Sequence, residues 1–153
     1  MQNLNISTSK ALINHSQYFI KIKKYSSCIF YPKNTIFYGW GRKKSGKKAI
    51  ELSKKHNTSF TLLEDSFIRS LDLGIKNSPS FSIVEDNIGI YYDATTSSKL
   101  ENMLNTYNFK VNQELMKKAF DAIELIKKYH ISKYNNAPDI DENYFKNDLK
   151  KES

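Results

Sequence analysis

The 153-residue chain has one cysteine, three prolines, five glycines and two arginines, and its first fifty residues hold no aspartate or glutamate. Cys28, standing alone, excludes an internal disulfide framework and cannot form a zinc site by itself. No stretch approaches the roughly 20 apolar residues that span a bilayer. The opening Met1-Gln2-Asn3-Leu4-Asn5-Ile6 lacks the basic-then-apolar pattern of a secretory leader. His15, His56 and His130 are isolated, without metal-ligand spacing. What remains has the length of one ordinary domain, with cytoplasmic location and no metal or cofactor as the expectations.

Apolar residues make up 39% and charged residues 26% of the chain, enough for a modest core. The net charge of +8 is unevenly spread: residues 1–50 carry ten Lys or Arg, whereas residues 51–153 carry 14 against 16 Asp or Glu. A basic first third can face nucleic acid, anionic lipid or a phosphorylated ligand, or be a plain solvated lysine surface. Scarce residue types are more telling. Both arginines (Arg42, Arg69), all five glycines and the one tryptophan (Trp40) fall between residues 39 and 89. Glycine allows tight turns and close backbone approach, and arginine offers a planar fork for carboxylate or phosphate. Any chemistry is expected there.

Along the chain, residues 1–26 read as a short helix or a polar lead-in. Cys28-Ile29-Phe30-Tyr31 is a short β-type run, and Thr35-Ile36-Phe37-Tyr38 a better strand closed by Gly39-Trp40-Gly41. A helix over 43–56 follows, with Ala49, Ile50 and Leu52 inward and Glu51 spaced to pair with Lys55. Asn57 breaks it before the strand Ser59-Phe60-Thr61-Leu62-Leu63. Strand, helix and strand at this spacing make a βαβ unit with parallel strands. Phe81-Ser82-Ile83-Val84 and Ile88-Gly89-Ile90-Tyr91-Tyr92 suggest a hairpin. Ser98 and Glu101 fit a capping box for a helix to about residue 106. A longer helix over 112–130 places Leu115, Ala119, Ala122, Ile123 and Ile126 on one face, with Glu114/Lys118 and Glu124/Lys128 spaced for surface pairs.

Three motifs carry candidate chemistry. Gly41-Arg42-Lys43-Lys44-Ser45-Gly46-Lys47-Lys48 nearly spells a P-loop, but Lys48 replaces the hydroxyl residue that would hold magnesium. A basic helix start after a glycine turn can still hold an anion. Glu64-Asp65-Ser66-Phe67-Ile68-Arg69-Ser70 follows a parallel strand, where ligands bind in open α/β sheets. Its carboxylates and arginine can serve as acid/base and anion clamp, or as a structural salt bridge. Tyr91-Tyr92-Asp93-Ala94-Thr95 reads as a packing pair followed by a possible helix cap at Asp93, and Ser132-Lys133-Tyr134-Asn135 as a helix stop.

Together these segments resemble the capsular polysaccharide synthesis/export proteins of the KpsC type. The matching stretches, in order, are Trp40 to Ser45, Leu63-Glu64-Asp65-Ser66-Phe67-Ile68-Arg69-Ser70-Leu71-Asp72-Leu73-Gly74, Pro79 to Val84, Gly89 to Ala94 and Ser132 to Asn135. They cover about residues 35–140. The resemblance implies an α/β fold, the Rossmann-like N-terminal portion of a two-domain (GT-B-like) glycosyltransferase, with a partly parallel sheet and flanking helices. It implies retaining transfer of Kdo from a CMP-Kdo donor to an anionic glycolipid acceptor, building the β-Kdo linker of a capsule lipid anchor. Peripheral contact with the cytoplasmic face of the inner membrane is implied, and no nucleic acid. By resemblance Glu64 is the general acid/base, Arg69 with Ser70 holds an anionic group of donor or acceptor, and Asp65 is a further substrate-binding residue. Trp40, Gly41 and Ser45 contribute to the same cleft.

One departure stands out. The family continues after Ser-Lys-Tyr-Asn into a strand and an Asp-Gln-Thr-type segment bearing the nucleophile, whereas here Ala137-Pro138-Asp139-Ile140 leads into a polar tail. The chain is therefore expected to be an N-terminal fragment, inactive alone, with a polar lead-in (1–30), an incomplete transferase domain (31–140) and a tail (141–153). Two other readings stand beside this one: a non-catalytic anion-binding or assembly module that docks a partner chain, and a nucleotide-binding protein using 41–48.

Overall fold

A computed structural model describes residues 2–71 and 80–136. Asp72, Leu73, Gly74 and Pro79 of the resembling segments, residues 137–140 and the tail 141–153 lie outside them. The first thirty residues supply three elements: strand β1 (Leu4–Ser7), helix α1 (Lys10–Ser16) and the two-residue strand β2 (Lys23–Lys24). Next come β3 (Thr35–Trp40), α2 (Lys44–His56) and β4 (Ser59–Asp65), then β5 (Ile83–Asp86), α3 (Lys99–Thr106) and α4 (Gln113–Lys128).

The sheet order is β2-β1-β3-β4-β5, parallel throughout except for antiparallel β5. This is the expected α/β architecture with a partly parallel sheet, and β3-α2-β4 is the expected βαβ unit. Alternation along β3 sorts its side chains between two core clusters. Phe37 packs with Ile6, Tyr31, Ala49 and Leu52 under α2, whereas Tyr38 packs with Leu12, Ile22 and Leu63 beneath α1, joined by Ile36 and Trp40. Asn57 ends α2 in the left-handed conformation (φ 51°), its N–H and that of Thr58 returning to carbonyls of the last turn.

Several expectations need correction. Cys28 to Tyr31 forms no strand: Tyr31 is buried, and its hydroxyl donates to the Ser26 carbonyl and accepts from the Ser26 N–H, each at 2.8 Å, closing a local loop. Residues 88–92 form no second hairpin strand either. The buried Asp86 carboxylate accepts from the N–H groups of Ile88, Gly89 and Lys99 at 2.8–2.9 Å, turning the chain away from the sheet and tying down the start of α3. The cap of α3 is Ser98 with Glu101, a complete capping box, and not Asp93. Glu51 pairs with Lys48 instead of Lys55, and Glu124 with Lys127 instead of Lys128, while Lys118–Glu114 forms as expected. Helix α4 is amphipathic, but no residue on it is buried among the described residues, and Leu115 and Ile123 are exposed.

Candidate active site

The turn between β3 and α2 is three residues long and closed on itself. Gly41 takes a positive φ of 39°, and the Lys43 N–H returns to the Trp40 carbonyl at 3.0 Å. The Ser45 hydroxyl accepts from the Trp40 N–H at 3.1 Å. Gly46 seats the first turn of α2 against the strand end: a Cβ there would lie 1.8 Å from the Gly41 carbonyl oxygen. Residues 44–48 are thus already helical, and no open loop is left to wrap a phosphate in the P-loop manner. The nucleotide reading of 41–48 fails on this geometry.

Glu64 and Asp65 end β4 as neighbours, so the pleat sends them to opposite faces. On the Glu64 side, its carboxylate accepts from the Asp65 N–H at 3.2 Å, and its Oε2 and the Tyr92 hydroxyl both lie against the Cα of Gly41. Tyr92 Oη in turn accepts the Arg42 N–H at 2.9 Å. The Arg42 guanidinium pairs with Asp93 and donates to Thr96 Oγ1 at 2.7 Å. The three segments 40–45, 64–70 and 89–94 therefore converge on one carboxylate. Burial pushes the Tyr92 phenol above its usual range; the Arg42 N–H opposes this and the Glu64 charge adds to it, so Tyr92 remains a proton donor. Asp93 is held below the carboxylate range, first by the Thr95 hydroxyl and N–H and then by Arg42.

On the other side, Asp65 Oδ1 accepts from Arg69 Nε at 3.0 Å, with Arg69 only 3% exposed. Arg69 also donates to the hydroxyl of the wholly buried Ser70 at 2.7 Å. The Arg69 and Ser70 N–H groups reach the Lys133 carbonyl at 3.0 and 3.3 Å, and Asn135 N–H returns to Ser70. Ser132 to Asn135 is thus more than a helix stop; it fastens the arginine loop. A cavity of about 410 Å³ opens here, lined by His15, Trp40, Lys43, Ser45, Asp65 and Arg69, with Leu12 and Ala11 beside them. His15 Nε2 lies 2.6 Å from Ser80 Oγ, and its ring meets Trp40 edge-on at 5.2 Å. Burial lowers the His15 pKa, the Arg69 charge lowers it further, and Asp65 opposes them, so the neutral imidazole is favoured.

Of the residues singled out in the sequence, Trp40, Ser45, Asp65 and Arg69 line this cavity. Glu64 and Gly41 stand on the opposite side with Tyr92, and Ser70 lies behind Arg69. His15 was read as an isolated histidine, and Arg42 and Tyr92, though inside the candidate motifs, were given no individual site role. Tyr91 and Tyr92 do form the expected packing pair, edge to face at 5.5 Å, and that reading concealed the second task of the Tyr92 hydroxyl. No local signal ties His15 to a site completed 65 residues later. Among the described residues no cluster of three His, Cys, Asp or Glu stands ready for a metal, and no helix is long and apolar enough to cross a membrane.

The arrangement has counterparts. Over 106 residues the chain is 40% identical to the capsule polysaccharide modification protein LipA of Neisseria meningitidis serogroup A, covering 69% of this chain and 15% of LipA. It is 29% identical over 115 residues to the lipopolysaccharide-processing protein LpsZ of Rhizobium meliloti, covering 75% of this chain and 26% of that protein. Among solved structures it resembles Thermosulfurimonas dismutans KpsC, a beta Kdo 2,4 transferase, with a TM-score of 0.79 and 29% identity, covering 95% of this chain and 46% of KpsC. The chain therefore spans less than half the length of each of these relatives. Residues 36–152 match the family model described as capsule polysaccharide biosynthesis protein, and the chain belongs to that family.

Proposed function

We propose that the chain supplies one lobe of a retaining glycosyltransferase that moves Kdo from CMP-Kdo to an anionic, lipid-linked acceptor, building the β-Kdo linker of a capsule. The observation that carries this reading is the Glu64 carboxylate. It lies at the end of a strand parallel to β3, stands beside Tyr92 and Gly41, and lies across the strand from a cationic cavity, in a chain similar over 95% of its length to a Kdo transferase. The carboxyl ends of parallel strands are where open α/β folds bind ligands.

In this reading Glu64 takes the proton from the acceptor hydroxyl as the glycosidic bond forms. General base help of this kind is worth roughly 10²–10⁴ in rate. Arg69, backed by Ser70 and Asp65, holds an acidic group of donor or acceptor. The reading assigns the nucleophile and most of the nucleotide site to parts of the longer relatives that this chain does not match. The lysine-rich first third suits work beside anionic lipid at the cytoplasmic face of the inner membrane, and nucleic acid has no part in it.

The test is Glu64→Gln, placed at the matching position of a complete homologous enzyme. Transfer is expected to fall by at least about 100-fold with the fold intact. Wild-type rates would remove Glu64 from the mechanism.

A further inference from the structure

We infer that the apolar face of α4 is a self-association surface, covered by a second copy of this chain whose α4 lies antiparallel to it across a two-fold axis. The inference is independent of the transferase reading.

The helix lacks a partner of its own. α4 is 16 residues long, and none of its residues is buried among the described residues. Its close neighbour is the 3-10 turn Phe109–Val111 that leads into it. A helix of this length is marginal on propensity alone and is normally held by packing of its apolar face. Leu115 and Ile123 are nonetheless 40% and 43% exposed, and Phe120 and Leu125 more so. Val111 and Tyr129, exposed at either end, lengthen the uncovered surface. Apolar surface left open in this way marks a protein interface.

The pattern of the face specifies the occupant. Leu115, Ala119, Ala122 and Ile126 are spaced 4, 3 and 4 residues apart, and they fall within a strip of about 60° on the helix. The series large, small, small, large reads the same in both directions. Laid antiparallel on a second copy, Leu115 of one meets Ile126 of the other, and Ala119 of one meets Ala122 of the other. Each contact then occurs twice, as an isologous interface requires. The alanines let the two backbones approach at the centre, and the larger side chains fill the ends. Met116 and Ile123 flank the strip on one side, Leu125 and the stem of Lys118 on the other.

Charge argues against a lipid surface. Each acid on α4 is paired within the helix: Glu114 with Lys118, Asp121 with Lys117 and Glu124 with Lys127, at 2.7–3.1 Å. The fourth lysine, Lys128, stands with its Nζ 5.2 Å from the Tyr129 ring centre. A helix neutralised on itself gains little from an anionic bilayer, yet presents little repulsion to its own copy. Area sets the strength. One helix pair about 24 Å long covers less than the roughly 800 Å² per partner of a standard interface. Dissociation on the order of tens of micromolar is therefore expected.

Sedimentation equilibrium of the 153-residue chain tests this, from about 1 to 300 μM, with Cys28→Ser as background so that the exposed thiol cannot link copies. A reversible monomer–dimer equilibrium is the expected result. Ala119→Arg, at an exposed position, should weaken it at least about tenfold with the circular dichroism spectrum of the monomer unchanged. Leu115→Glu and Ile126→Lys should each weaken it about tenfold, and an equal mixture of the two should associate at near wild-type strength, because antiparallel pairing sets one opposite the other. A chain that stays monomeric, a dimer that survives Ala119→Arg, or a mixture no stronger than its components would each overturn the inference. A monomer that floats with vesicles of anionic phospholipid would assign the face to lipid and overturn it as well. Glu64→Gln leaves all of these outcomes unchanged, so this inference and the proposed function fail separately.

Discussion

Gly41 is where backbone geometry and the candidate acid/base meet, and its replacement by alanine tests both. A Cβ at this position would lie 2.1 Å from Tyr92 Oη and 2.6 Å from Glu64 Oε2, with Tyr92 Cζ next at 3.2 Å, and the residue holds a φ of +39°. The left-handed backbone costs a non-glycine residue roughly 1–2 kcal/mol. Displacing the Tyr92 hydroxyl breaks its hydrogen bond from the Arg42 N–H, worth about 1 kcal/mol more. Gly41→Ala should therefore lose about 2–3 kcal/mol, or roughly 4–12 °C in Tm for a chain of this length. Tyr92→Phe alone should lose about 1 kcal/mol. The decisive measurement is the double variant by urea denaturation. Without the hydroxyl the new methyl meets only the movable end of Glu64 and a ring carbon at 3.2 Å, a tight contact that a shift of a few tenths of an ångström relieves. The double variant should then be more stable than the sum of the two losses by about 1 kcal/mol. Additivity within about 0.3–0.5 kcal/mol, the behaviour of unconnected sites, would refute the picture of Tyr92 and Gly41 as one unit around Glu64.

Three further outcomes follow from the other side of the strand. His15 has a folded-state pKa below its ordinary value of 6.5, chiefly through burial and then Arg69. The stability this lends is fully present above pH 6.5 and is lost as pH falls below it, because the unfolded chain takes up the proton first. Wild type should thus lose more stability between pH 8 and pH 5 than His15→Gln, and equal pH slopes in urea denaturation would refute the assignment. Asp65→Asn removes one carboxylate from the nearly buried Arg69 and should cost about 2–3 kcal/mol, short of the 3–5 of a fully buried pair because Asp65 is 20% exposed. Arg69→Lys should also destabilise, since one ammonium cannot reproduce the Nε bond to Asp65 and the second bond to Ser70; a loss below about 0.5 kcal/mol in either variant would contradict the geometry.

What could be read from the sequence follows the range of the forces involved. β3, α2 and β4 were legible because local periodicity, the glycine turn and Asn57 all agree, and the capping box at Ser98 and Glu101 is a contact three residues long. β1 was not, because Leu4–Ser7 holds only one buried apolar residue, Ile6; it becomes a strand by pairing with β2 on one side and β3 on the other. The run 88–92 has β-like residues, yet a single buried carboxylate, Asp86, takes two of its N–H groups. The helical period of α4 was legible, but what its apolar face meets is not a local property.

The site obeys the same division. Asp65 and Arg69 are four residues apart and their pairing was within reach, whereas Arg42 with Asp93 and His15 with Ser80 join residues 51 and 65 apart. Such contacts are set by strand order, which places the ends of β3 and β4 side by side and brings the loops after them together. One consequence concerns the chemistry directly. Glu64 and Asp65 look in sequence like a carboxylate pair that might share acid and base roles. A strand turns neighbours to opposite faces, and here that separates them: Asp65 is committed to a buried guanidinium, whereas Glu64 meets a phenol and a glycine turn. Two carboxylates that share one proton must face each other, which this strand does not permit. Under the proposed transfer, Glu64 is then the carboxylate left to act as acid/base, and Asp65 acts through the arginine it holds.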